Sequence, residues 1–187
     1  MKGIFYLTSV LIFNIGIYNM KDMNFEELLG KPFSVVEVVI GTDFRNNENL
    51  KLKTNFYSSI NYVENDYYGM PNHHITILVD EKDAVKSITV HFRKVIDHEF
   101  YYLFIKDYGE PNHIQIIENR QILSESFIKD DNGEIINHLK KSTFDLREGA
   151  FEEKPLYIIW EKENFQIKAF IRHKQNISEV TFSLASN

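Results

Sequence analysis

The chain has 187 residues, 43% hydrophobic and 14% aromatic, which is enough apolar material for one mid-sized core or two small ones and argues against disorder or coiled coil. Twenty-one Lys and Arg against 27 Asp and Glu leave a formal charge of −6 with no local basic patch, so nucleic acid is disfavoured as a partner. Cysteine is absent, which removes disulfides, thiolate nucleophiles and zinc sites of the Cys type.

Residues Gly3 to Ile17 are an apolar stretch behind Lys2, the pattern of a short charged region followed by the core of a secretory signal. Asn14, Tyr18 and Asn19 interrupt it, so it falls short of the ~20 apolar residues of a membrane span. Residues 1–21 are therefore read as a signal peptide and the mature protein as secreted or periplasmic, without a stable membrane span. Small residues three apart before a cut are missing, and cleavage is placed around Tyr18 to Asp22. The alternative is a cytoplasmic protein that keeps this segment inside its fold.

Asn24 with Glu27 three residues later resembles a capping box, which predicts a short helix over Phe25 to Leu29, stopped by Gly30 and Pro32. Val35 to Ile40 and Leu50 to Ile60 read as strands; in the latter Leu52, Thr54 and Phe56 are expected to face the core, with Tyr57 facing out. Alternation at Ile75, Ile77, Val79 and at Ile88, Val90, Phe92 predicts an antiparallel hairpin turning at Asp80 to Asp83. A helix over His98 to Tyr108 follows, apolar nearly all round, and is expected to lie centrally between two sheets. Ile114 to Glu118, Ile122 to Ile128 and Glu134 to Leu139 are further strands, the last two joined at Asn132-Gly133. Leu156 to Trp160 and Phe165 to Ile171 form a second clear hairpin, and Val180, Phe182 and Leu184 mark a final strand.

Gly30-Lys31-Pro32 and Gly109-Glu110-Pro111 are 109 − 30 = 79 residues apart, and the two clear hairpins follow the same offset. The expected architecture is thus α+β and mostly β, with two tandem helix-plus-antiparallel-sheet units over residues 22–97 and 98–187. The last strand, Ile177 to Leu184, would hold the place at which the first unit hands over to the central helix. This pattern resembles the tandem helix-and-sheet architecture of small exported binding proteins such as the β-lactamase inhibitor protein family, although the cysteines of that family are missing. The resemblance implies a protein-binding role and no particular site residue.

Seven histidines raise the question of metal, chiefly His73-His74 with His91, His98 and Glu99, yet no established zinc spacing is present, and alternation leaves His91 as an exposed strand residue. Asp130-Asp131-Asn132-Gly133-Glu134 resembles part of a calcium loop, but its first and twelfth positions would be Ile128 and Leu139, so a hairpin turn is expected. Nucleophile elbows, phosphate loops and dinucleotide fingerprints are missing too. No catalytic residue, metal or other cofactor is expected. Tyrosine is concentrated between Tyr57 and Tyr108, and since it joins apolar area to a hydrogen-bonding tip, Tyr57, Tyr62, Tyr67, Tyr68 and Met70 form the candidate binding surface. The bland reading, placed ahead of it, is that these rings complete the core of a small α+β protein.

The reading is a non-enzymatic binding module for another protein or an envelope component. One alternative is a cytosolic inhibitor or immunity-type protein docking on a basic partner. The other is an enzyme of unrecognised type, which requires two or more of His73, His74, His98 and His113 to converge with Asp or Glu in a concave site.

Overall fold

The computed structural model describes residues 23–46, 55–60 and 66–185. The signal-like stretch, the first half of the strand expected from Leu50, and Tyr62 lie outside the described residues. Within them the chain is mostly antiparallel sheet with two α-helices: α1 (Phe33–Ile40), β1 (Phe44–Asn46), β2 (Asn55–Ser59), β3 (Asp66–Tyr67), β4 (Met70–Val79), β5 (Val85–Phe92), α2 (His98–Tyr108), β6 (His113–Lys129), β7 (Ile135–Glu148), β8 (Tyr157–Glu161), β9 (Phe165–Arg172) and β10 (Ile177–Leu184). The strands form one sheet in the order β1-β2-β4-β5-β10-β9-β8-β6-β7, with β3 paired to β4.

The clear hairpins form where alternation places them. Ile77 lies opposite Ile88 and Ile75 opposite Val90, all fully buried. The connecting turn is closed by Asp80, whose carboxylate accepts from the Lys82 and Ala84 amides. In the later hairpin Trp160 faces Ile167 and Ile158 faces Ala169. The second strands of the two hairpins match at 167 − 88 = 79, but the first strands match at 160 − 77 = 83. The later hairpin has the shorter connection, so a constant offset misplaces Lys154 and Leu156, which precede β8.

Three local expectations are corrected. Residues 35–40 are helix, not strand: Pro32 stands at the N-cap, Gly41 at φ 70° closes the C-terminus, and Phe33, Val36 and Ile40 turn one buried face to the core. Tertiary contact overrides the β-branched composition there. In β2 the facing is opposite to expectation, since Phe56 is exposed while Tyr57 is half-buried and stacks on Phe33 at 3.7 Å. The third concerns α2, which does not lie between two sheets. It packs on one face of the single sheet through Phe100, Tyr101, Phe104 and Tyr108, and leaves Tyr102 63% exposed.

Asp97 caps α2 by accepting from the Phe100 amide at 3.0 Å, as its position before the first apolar residue suggests. At the other end the Trp160 indole donates to the Gly109 carbonyl and Lys162 to the Tyr108 carbonyl, tying the helix C-terminus to β8 and its loop. Asn24 does precede a helical turn, the 3-10 turn Phe25–Leu28, but its amide donates to the Glu27 side chain and not to the backbone. The core is one layer between this helical face and the sheet, with Phe104 against Trp160 at 4.9 Å and Phe25 against Phe182 at 5.5 Å.

Candidate functional site

Among the expected tyrosines, Tyr67 is completely buried and Met70 is 1% exposed, so both belong to the core beneath α2. Tyr68 packs edge-on against Phe104, and its hydroxyl donates to Asp107 on α2 at 2.7 Å. Burial, and then that carboxylate, push the Tyr68 phenol far above its ordinary range, so it stays a neutral donor. Tyr57 lies on Phe33 at the other end of the helical layer. Tyr67, Tyr68 and Met70 thus come together, Tyr57 stands apart, and the rings tie helices to sheet.

The sheet face opposite the helices carries a polar row. His91 Nδ1 lies 3.2 Å from a Glu179 oxygen, and its Nε2 lies 3.0 Å from the Thr76 hydroxyl. A carboxylate only accepts, so Nδ1–H is the donor, and in the neutral ring Nε2 accepts from Thr76. The His74 ring stacks on His91 with centroids 4.1 Å apart, and His73 meets His74 edge-on. Burial, reinforced by the charges of His91, His73 and Arg93, lowers His74 to about 4. Glu179 is held below its usual range, chiefly by the hydrogen bond from His91. His91 is accordingly half-buried and engaged on both nitrogens, not the exposed strand residue expected.

The order hydroxyl–imidazole–carboxylate is that of an acyl-transfer triad, but Thr76 is only 6% exposed, which closes its hydroxyl to a substrate. His98 lies instead against Phe151, and His113 pairs with Glu148 at 2.9 Å. No group of three or more His, Asp or Glu suited to a metal ion occurs among the described residues. The acidic run at 130–134 is a hairpin turn in which Asp130 accepts from the Asn132 and Glu134 amides, with Gly133 at φ 83°.

Two features were not anticipated. The first is that β6 and β7 outgrow the sheet. β6 pairs with β8 only through His113, Ile114 and Gln115, yet pairs with β7 out to Lys129. The excess projects as a two-stranded ribbon about 40 Å long at the rise of an extended strand. Its residues Ile122, Leu123, Phe127, Ile128, Ile135, Ile136, Leu139 and Leu146 are 42–64% exposed. Apolar side chains stand on both faces: Phe127 stacks on His138 beside the Glu125–Lys140 pair, whereas Ile128 and Leu139 share the other face. The sequence held the signal for this, because the strands over 122–128 and 134–139 carry apolar residues without strict alternation.

The second feature is a cleft of about 520 Å³ where the ribbon departs from the sheet. Ile116, Ile117, Arg120 and Phe144 come from the ribbon root, and Leu156, Tyr157, Phe170 and Arg172 from the β8–β9 end. Lys154, His173 and Lys174 complete the rim with Glu153, which is held by Arg147 and the Ala150 amide. Tyr157 and Phe170 stack at 5.1 Å, with Arg172 over Phe170 and Arg120 over Phe144. His173 donates from Nε2 to the Pro155 carbonyl, fixing its ring.

Comparison with protein-family models, with curated proteins and with solved structures gives no match. The architectural resemblance drawn above therefore stands on the pattern of elements alone. No helix among the described residues is long and apolar enough to cross a membrane.

Proposed function

We propose that this protein is an exported, non-enzymatic binding module that engages another protein or an envelope component through the β6–β7 ribbon. The exposure of eight large apolar side chains on one projecting element carries the reading. Large apolar side chains gathered in the open on both faces of one element offer a surface for interaction. A two-stranded ribbon is also marginal in water by itself, and a partner laid along it supplies the missing third layer or strand. Export rests on the apolar stretch Gly3 to Ile17.

The same reading keeps two units, residues 22–97 and 98–187. Its support is that Ile88, Val90 and Phe92 and their counterparts Ile167, Ala169 and Ile171 share the buried phase.

A photo-crosslinking residue placed at Phe127 or Ile136 in the producing cells tests the function. Discrete crosslinked species are expected at both positions and not at Tyr102, an equally exposed apolar position on α2. The absence of ribbon crosslinks, or an identical pattern at Tyr102, overturns the reading. Fractionation with intact-mass measurement tests export: the expected species is periplasmic or extracellular and shorter by about 18–22 residues.

A further inference from the structure

We propose that the cleft at the ribbon root binds an amphiphilic anion, a carboxylate or phosphate headgroup carried on an aliphatic or aromatic body. The proposal goes beyond the ribbon reading and does not depend on it. At about 520 Å³ the cleft has the volume of a small-molecule site. Its walls are apolar, with Ile117, Phe144, Leu156 and Phe170 offering surface from which water is displaced at a gain.

The rim has the opposite character. Arg120, Lys154, Arg172 and Lys174 gather here in a chain of net charge −6, and none of the four forms an ion pair with a described residue. The sole lining carboxylate, Glu153, is already occupied by Arg147. The local field therefore favours an anion even though the molecule as a whole repels one. Two guanidinium groups beside aromatic faces suit a carboxylate or phosphate, whose oxygens accept paired N–H donors, while the body of the ligand lies against the apolar lining. An anion without a body gains only screened rim charge, and a body without an anion leaves the cations unmatched. Both halves of the ligand are required.

The test is calorimetric titration of the full chain with decanoate and decyl phosphate, each below micelle formation, against decyltrimethylammonium, decyl maltoside and acetate. The two anionic amphiphiles are expected to bind at least about tenfold more tightly than the three controls, the value of one charge-assisted hydrogen bond. A preference between decanoate and decyl phosphate identifies the headgroup, and either order supports the site. Arg172→Gln is expected to weaken anion binding about tenfold with an unchanged melting temperature. Lys174→Gln lies in the turn after β9 and gives the same direction should the β9 variant fold poorly. Lys106→Gln on α2 is expected to change nothing. Equal binding of anionic and cationic amphiphiles, no binding of either anion at about 1 mM, or full affinity in a folded Arg172→Gln and Lys174→Gln double variant overturns the proposal.

Discussion

Acidification from neutral pH to about pH 4.5 should weaken this fold through His74, and the size of the loss follows from where that ring sits. Burial is the main cause that lowers His74 from 6.5 to about 4; positive charge on His91, His73 and Arg93 adds to it, and Glu179 alone opposes it. The unfolded chain takes up this proton near 6.5 while the folded chain resists, so stability falls as pH drops below 6.5 and levels off near 4. A fully desolvated ring would contribute ~3 kcal/mol over that interval, and solvent access at the half-buried ring reduces this to ~1–2 kcal/mol. Glu179, held low by His91, loses its contribution in the same direction below its ordinary 4.5. The assay is urea denaturation at a series of pH values for the parent and His74→Gln. The parent should lose ~1–2 kcal/mol more than the variant between pH 6.5 and 4.5. Parallel curves would show that the stacked His74–His91 pair takes up its proton without cost, and would refute the reasoning.

Val90→Asp and Ile167→Asp each place an unpaired carboxylate in fully buried strand positions, and both should abolish cooperative thermal unfolding. Asp97→Ala removes the cap from the Phe100 amide and should lower stability by ~1 kcal/mol in chemical denaturation. Trp160→Phe leaves the Gly109 carbonyl without its indole donor and opens space beside Phe104, for an expected loss of ~2 kcal/mol. Replacing residues 121–143 by an Asn-Gly turn should change the unfolding free energy from urea denaturation by less than about 1 kcal/mol, because among the described residues that part of the ribbon pairs only with itself.

What could be read in the sequence was governed by how local its cause is. The β4–β5 and β8–β9 hairpins alternate cleanly because each has one face on the core, and α2 carries its cap, its apolar spacing and its terminal glycine within 97–109. Residues 35–40 misled because a run of valine and isoleucine suits either element, and Pro32 and Gly41 decide it only once Phe33 has a core to face. The single sheet was not legible, since its two halves are joined by β10 pairing with β5 at long sequence separation, and no local pattern records that pairing. The tyrosines misdirected for a related reason: composition marks rings that touch something, and Tyr67 touches Phe25, Phe100 and Phe182 within the same chain. The cleft was invisible because Arg120, Phe170 and Lys174 converge only after the ribbon leaves the sheet.

The ribbon separates the residues that hold the fold together from those free to recognise something else. Eight side chains about half exposed amount to roughly four complete burials, or ~6–12 kcal/mol of unrealised hydrophobic free energy. Association costs on the order of 4–15 kcal/mol in lost freedom, so the apolar contacts alone support modest affinity and require help from backbone pairing or charge. The ribbon offers both, because among the described residues the strand edges beyond Gln115 are unpaired on their outer sides, and Glu125 with His138 and Lys140 forms a polar ladder between the apolar residues. A partner strand added along either edge would satisfy the backbone and cover Phe127 or Leu139 in the same step. That coupling makes an extended segment a better fit to this surface than a rigid flat one.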